Sequence, residues 1–216
     1  MTGLPSNREE VSRWLSDLPA GWTLRRLKYL LVEVDLRSDD GDGELLSLSK
    51  SLGVVPRTQL TADDARAESL VGYKTVRAGD LVMNKMQAWN GLFGLSRHAG
   101  LISPDYAVFE IFGAVEPRWL AYCLRSDFYA VQFTWRSRGM GKAFLRLHPE
   151  NLLDTPIPVP PPADQRKIAD FLDAQTAAND AVVTTLKSQI ELLQERRASL
   201  VNSVILGQTP VSAEGS

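Results

Sequence analysis

The chain has 216 residues, enough for one ordinary domain with an addition or for two small ones. Its hydrophobic content of 44% and charged content of 23% are globular averages, which excludes wholesale disorder and fibrous structure. A single cysteine, Cys123, closes no disulfide within the chain, and with only His98 and His148 beside it no zinc ligand set of the usual spacing can be assembled. No run of about 18 apolar residues exists, and the opening MTGLPSNREEVSRWL lacks the apolar centre of a signal peptide, so a soluble, cytoplasmic protein is expected.

The formal net charge of −2 conceals an uneven distribution. Residues 1–73 carry 9 basic and 12 acidic side chains, residues 74–146 carry 10 and 5, and residues 147–216 carry 5 and 9. Phe128 to Pro149 holds no acid at all, but has Arg136, Arg138, Lys142 and Arg146. A basic middle between acidic ends suggests a face for an anionic partner; the plainer alternative is a solvated surface balanced by charges from elsewhere in the fold.

In chain order, a short amphipathic helix is expected around Glu9–Leu18, followed by a Pro-Ala-Gly turn and WTLRRLKYLL. Asp39-Asp40-Gly41-Asp42-Gly43 reads as a turn, and ELLSLSKSLGVVP as two short strands. Residues 61–70 look like a polar helix with Thr61 as its cap. Strand-like runs follow in VRAGDLVMN, GLFGLS and YAVFEIF. Two helices come next, one with Pro117 at its first position and one capped by Ser126 or Asp127. Residues 1–160 therefore read as one mixed α+β domain.

The last quarter differs. Five prolines in seven positions, Pro156 to Pro162, read as a stiff polyproline-like spacer. Asp164 then stands where a helix cap belongs, and Gln165 to Leu206 contains neither proline nor glycine before Gly207 stops the helix and Pro210 forbids a restart. Such a helix measures roughly 63 Å at about 1.5 Å per residue. Ile168, Leu172, Asn179, Val182, Leu186, Leu193, Leu200 and Val204 fall at spacings near a heptad seam, with Asn179 as a polar register device. A stripe this long finds no second long helix in the chain, so 161–207 is expected to pair with a partner helix and 208–216 to form a flexible tail.

Catalytic signatures are missing. Arg136 occupies the place of the first P-loop glycine and Ala143 that of its Ser or Thr; Gly139-Met140-Gly141 lacks the third glycine of a dinucleotide fingerprint. There is no G-x-S-x-G and no H-E-x-x-H, and no lysine follows Glu110 at the spacing a nuclease carboxylate set needs after Pro104-Asp105. No cofactor and no metal are expected.

Two segments combine cations with amides and aromatics in the manner of duplex-DNA contacts. In Asn84–Gly91, Gln87 and Asn90 can pair bidentately with an adenine edge, Lys85 can reach guanine or phosphate, and Trp89 either stacks on DNA or belongs to the core. In Arg136–Lys142, Arg136, Ser137, Arg138 and Lys142 surround glycines that let the backbone approach a phosphate, with Arg146 just beyond. Arg97 and His98 form a third candidate loop.

The segment PPPADQRKIADFLDAQTAANDAVV…IELLQERRASLVNSVILGQ resembles the helical region of type I restriction–modification specificity subunits, through Pro160–Pro162, Gln165, Ile168, Leu172-Asp173, Glu195-Arg196-Arg197 and Gly207-Gln208. Upstream, LPAGWTLRRL, AGDLVMNKMQAWNGLFGLS, GLISPDYAVFEI and SRGMGKAFLRL resemble one class of that family's target-recognition domains. The resemblance implies a non-catalytic reader of double-stranded DNA that recruits methyltransferase and restriction subunits. Family members usually carry two recognition domains and two helices. A single copy of each here implies a half-size form that pairs, as a homodimer or with another specificity chain, to read a split site. The alternative is a truncated chain that serves as a protein–protein adaptor for methyltransferase subunits without reading DNA.

Overall fold

The computed structural model describes residues 8–60, 69–141 and 144–209. The polar helix expected over 61–70 falls largely on 61–68, outside them, as do Lys142 and most of the tail. The chain forms two units, Met1–Ala169 and Asp170–Ser216. The first is a mixed α+β domain, so the expected class holds.

At the centre of the first unit lies a four-stranded antiparallel sheet. Its strands are β2 (Leu31–Val34), β6 (Leu81–Asn84), β7 (Phe93–Leu95) and β9 (Tyr106–Ile111), in the order β2-β9-β6-β7. The register runs Leu81↔Phe109 and Asn84↔Tyr106 on one side of β6, Leu81↔Leu95 and Met83↔Phe93 on the other. Successive side chains point to opposite faces, and both faces are covered. Leu81, Met83, Ala107 and Phe109 join Trp119, Leu120, Leu124 and Phe133 in the larger core. Val82 and Val108 join a smaller one with Leu46, Leu48, Val54, Val76 and Ile102. Burial on both sides explains why LVMN and YAVF are continuous apolar runs without polar alternation.

Helices α2 (Pro117–Arg125) and α3 (Asp127–Arg136) supply the larger core's other wall. Glu116 caps α2 by accepting from the Arg118 N–H, and Ser126, one of the two expected candidates, caps α3 by accepting from the Tyr129 N–H. Helix α1 (Arg8–Ser16) buries Val11 and Leu15 and sets Trp14 4.4 Å from Phe128, so this N-terminal helix is part of the domain. On the second face lie the hairpin β3 (Leu46–Ser49) with β4 (Gly53–Pro56), as expected, and the pair β5 (Lys74–Val76) with β8 (Gly100–Ile102). The last pair and the five-residue α4 (Pro149–Leu153) are too short to carry a periodic signal. Asp40 is a turn acid as read: its carboxylate accepts from Asp42 N–H and Ser38 hydroxyl, which lowers its pKa.

The proline-rich stretch is a correction. Pro156–Val159 is not a spacer but a strand, β10, paired antiparallel with β1 (Thr23–Arg26), with Ile157 and Val159 buried. In P-I-P-V the prolines alternate with apolar residues at the strand period, and a two-stranded edge tolerates their missing N–H groups. The long helix α5 (Pro162–Ile205, 44 residues, about 66 Å) starts earlier than expected, because Pro162 suits a first helical turn. Asp164 is therefore inside that turn rather than its cap; the Pro161 carbonyl accepts from the Asp164 and Gln165 N–H groups. The C-terminal stop is as read. Gly207 takes φ +68°, its N–H reaches the Val204 carbonyl, and the Gln208 N–H reaches that of Ser203, a Schellman closure.

The start of α5 belongs to the first unit's core. Ala169 is fully buried, and Ile168, expected in the pairing seam, packs on that core instead. Gln165, 1% exposed, accepts from the Glu116 N–H at 2.7 Å and donates to the Pro160 carbonyl at 2.8 Å. The compact domain thus extends to Ala169, past the boundary expected at 160.

Candidate nucleic-acid interface

Strand β6 ends at Asn84, whose Oδ1 accepts from the Met86 and Gln87 N–H groups at 2.9 and 3.2 Å and turns the chain. A 3-10 turn, Ala88–Asn90, follows and closes at Gly91 with φ +73°. A Cβ at Gly91 would stand 2.9 Å from the Arg125 carbonyl oxygen, so only glycine lets this loop seat on the end of α2.

The second segment begins where α3 ends. Arg138 and Arg146 exchange both backbone hydrogen bonds, at 3.0 and 2.9 Å, and close the loop between them. Gly139 turns inside it at φ +144°, where a Cβ would collide with the Phe144 carbonyl. Met140 and Phe144 are 91% and 71% exposed. Beyond the bridge, the Leu147 N–H donates to the Lys85 carbonyl at 2.9 Å. That bond fastens the base of the arginine loop to the start of the Asn84–Gly91 loop. Two segments about fifty residues apart in sequence thereby meet at one end of the central sheet.

Individual side chains differ in what they offer there. Gln87 and Asn90 are exposed, and the Lys50 ammonium lies 3.4 Å from Asn90 Oδ1. Arg138 is exposed, and Arg146 is half-exposed with its guanidinium 3.6 Å from Asp105. Lys85 donates to the Pro104 carbonyl at 3.0 Å, and desolvation lowers its pKa, so this ammonium ties its loop to the turn between β8 and β9 rather than pointing outward as a cation. Trp89 is half-buried with its indole N–H donating to the Met86 carbonyl at 2.8 Å; the ring braces its own loop. Ser137 caps the end of α3 by donating its hydroxyl to the Phe133 carbonyl at 2.7 Å. Arg136 lines a concavity with Arg25, Arg26 and Lys28.

Arg97 and His98 do not join this cluster. Ser96 pairs its backbone with Asp80 and Gly79, so the 97–98 turn follows the Leu95 end of β7, whereas Asn84 and Lys85 continue from the other end of β6. Sequence reasoning passed over Lys50 and Arg125, which the fold brings to the Asn90 loop; the Arg125 guanidinium donates to the Lys50 carbonyl at 2.6 Å. It also passed over Arg25, Arg26 and Lys28, because the acidic first third outweighs them in any regional sum.

At the start of β5, Lys74 is a buried cation with Asp35 at 2.9 Å and Glu33 at 3.7 Å. The Lys74 hydrogen bond holds the Asp35 carboxyl below its usual range. Among the described residues there is no group of three His, Cys, Asp or Glu able to hold a metal, and no helix long and apolar enough to cross a membrane.

In the second unit, Val182, Leu186, Leu193 and Leu200 are 51–63% exposed, Asn179 is exposed, and Leu172 and Val204 are half-buried. Val183 and Ile190, both exposed and absent from the seam as first read, complete a strict alternation of three and four from Asn179 to Val204 in which Arg197 is the one charged member.

Residues 116–192 match the family model of the type I restriction modification DNA specificity domain. No curated protein matches the chain in sequence. Among solved structures, a chain from work on complex assembly and conformational transition of the type I R-M system is similar with TM-score 0.65 and 20% identity, over 87% of this chain and 46% of that one. The HsdS subunit from Thermoanaerobacter tengcongensis aligns at TM-score 0.49 and 22% identity, over 75% of this chain and 40% of the other. The S subunit from M. genitalium aligns at 0.46 and 14%, over 84% and 45%. This chain spans about half the length of the structures it matches.

Proposed function

We propose that this chain, a type I restriction–modification specificity protein by its match over residues 116–192, binds duplex DNA through the joined loops 84–91 and 136–146 and works as a dimer held by its C-terminal helix. The observation that carries the reading is the hydrogen bond from Leu147 to Lys85, because it makes one surface of the amide-bearing and the arginine-bearing segments. Exposed Gln87 and Asn90 supply bidentate donor–acceptor pairs for base edges. Arg138 and Arg146 supply forked donors for phosphate or guanine. The reading assigns no chemistry to the chain; methyltransferase and restriction subunits supply it.

The pairing half rests on the exposed seam of the second unit. Leu186, Ile190, Leu193 and Leu200 leave more apolar surface in water than a single helix retains without a partner. Two copies related by a two-fold axis would read a two-part site, each half met by one domain.

The test is light scattering combined with duplex titrations over a range of salt. A dimer whose DNA affinity falls steeply with salt is the expected result. A strict monomer without salt-dependent DNA affinity, even with methyltransferase subunits supplied, refutes the reading. A chain that captures those subunits yet ignores both DNA and substitutions at Arg138 and Arg146 is instead an adaptor.

A further inference from the structure

We infer that the concavity formed by β1, the 3-10 turn after it and the end of α3 seats backbone phosphates of the DNA strand flanking the bases met by the joined loops. This site rests on the DNA-binding reading above and enlarges it.

The concavity measures about 830 Å³ and is lined by Leu24, Arg25, Arg26, Lys28, Tyr29, Arg136, Asp154 and Pro156. Four cationic residues and one carboxylate thus line it. Asp154 is engaged by Arg26, and neither Arg25 nor Lys28 has a carboxylate within ion-pair distance among the described residues. All four sit on stiff elements: Arg25 and Arg26 in β1, Lys28 in the 3-10 turn whose Leu27 is fully buried, and Arg136 in the last turn of α3. No backbone segment carrying them has to be ordered when an anion binds, which removes one of the usual costs of association.

Two features point to a nucleic-acid strand rather than to a small anion or an acidic protein. Tyr29 is 59% exposed and Leu24 48%, and the Lys28 ammonium lies 5.5 Å from the Tyr29 ring centre. Exposed apolar and aromatic side chains among cations suit a duplex backbone, in which sugars alternate with phosphates. The second feature is continuity. Arg136 and Arg138 are two residues apart, a span of at most about 7 Å, comparable to the separation of neighbouring phosphates along one strand. One strand can run from the concavity to the arginine loop without leaving basic surface.

Fluorescence anisotropy of the full-length protein on mixed-sequence and unrelated duplexes tests this. In Arg25→Gln with Lys28→Gln, the slope of log affinity against log salt is expected to fall by about 1.8, two contacts at about 0.9 each. Affinity at 0.1 M salt falls by about 60-fold on every sequence, the same slope carried over one decade of salt. Asp154→Asn releases Arg26 and should tighten binding, a gain that misfolding cannot imitate. An unchanged slope in the double variant, while Arg138→Gln with Arg146→Gln lowers it, overturns the phosphate seat and leaves the joined-loop reading intact. Absence of DNA affinity in the parent protein defeats that reading itself. Lost capture of methyltransferase subunits with an unchanged DNA slope also overturns the inference, and makes the concavity a protein-docking site.

Discussion

Replacing Gln165 by leucine tests how the start of α5 is fastened to the rest of the first unit. The side chain is 1% exposed and makes two hydrogen bonds, accepting from the Glu116 N–H at 2.7 Å and donating to the Pro160 carbonyl at 2.8 Å. Leucine has a similar volume, so the cavity contribution is small. What remains is two backbone groups left without partners, at about 1–2 kcal/mol each, for a loss of about 2–4 kcal/mol. In a domain of this size each kcal/mol shifts Tm by about 2–4 °C, so Tm should fall by about 10 °C. Urea unfolding followed by far-ultraviolet circular dichroism, with calorimetry for Tm, reads both quantities. Gln165→Glu sharpens the test. An ionised carboxylate cannot donate to Pro160, and burial raises its folded pKa above the usual 4.3, so this variant holds its stability in acid and loses it as pH rises through that value. A Gln165→Leu protein that melts within about 2 °C of the parent would refute the idea that this amide joins the two elements.

Other perturbations have equally definite outcomes. Leu186→Asp with Leu193→Asp should turn the proposed dimer into a monomer by light scattering while leaving the first unit's unfolding unchanged, since both residues lie in the second unit and are exposed. Gln87→Ala or Asn90→Ala should relax base preference at a cost of about 1–3 kcal/mol on the preferred site only, measured by competition titration; equal losses on all duplexes would contradict base reading. Asp35→Ala with Glu33→Ala should cost about 3 kcal/mol because it strands the buried Lys74 charge, whereas Lys74→Met should be nearly neutral in urea unfolding. Asp35 has a lowered folded pKa, so its contribution is present above about 3.8 and is lost as pH falls through the lowered value. Burial pushes the Cys123 thiol up to about 12, so its reaction with a thiol reagent at pH 8 should wait for unfolding.

Much of this protein is legible in its residues because the signals are local. Pro117 opening α2, Ser126 capping α3, Gly207 stopping α5 and the 3-and-4 spacing along that helix depend on neighbours within a turn or two. The resemblance through Gln165 and the Glu195-Arg196-Arg197 run is likewise a matter of spacing. Pro156–Val159 reads as a spacer because its pairing partner Thr23–Arg26 lies more than a hundred residues away, and its prolines mask the short apolar alternation of Ile157 and Val159. Ile168 fits a seam by spacing, yet it packs on a core assembled from distant elements. Lys85 reads as a ligand by residue type and Trp89 as either ligand or core; the Pro104 carbonyl, brought near by folding, engages the Lys85 ammonium, and the Met86 carbonyl one turn back engages the Trp89 indole. The candidate interface follows the same division. Composition along the chain names which amides and arginines are available, but their meeting depends on the Leu147–Lys85 hydrogen bond and on a sheet register that separates them from Arg97. Long-range pairing leaves no periodic trace in either segment, so chemistry type is written in the order of residues, and its convergence on one surface is a property of the packed fold.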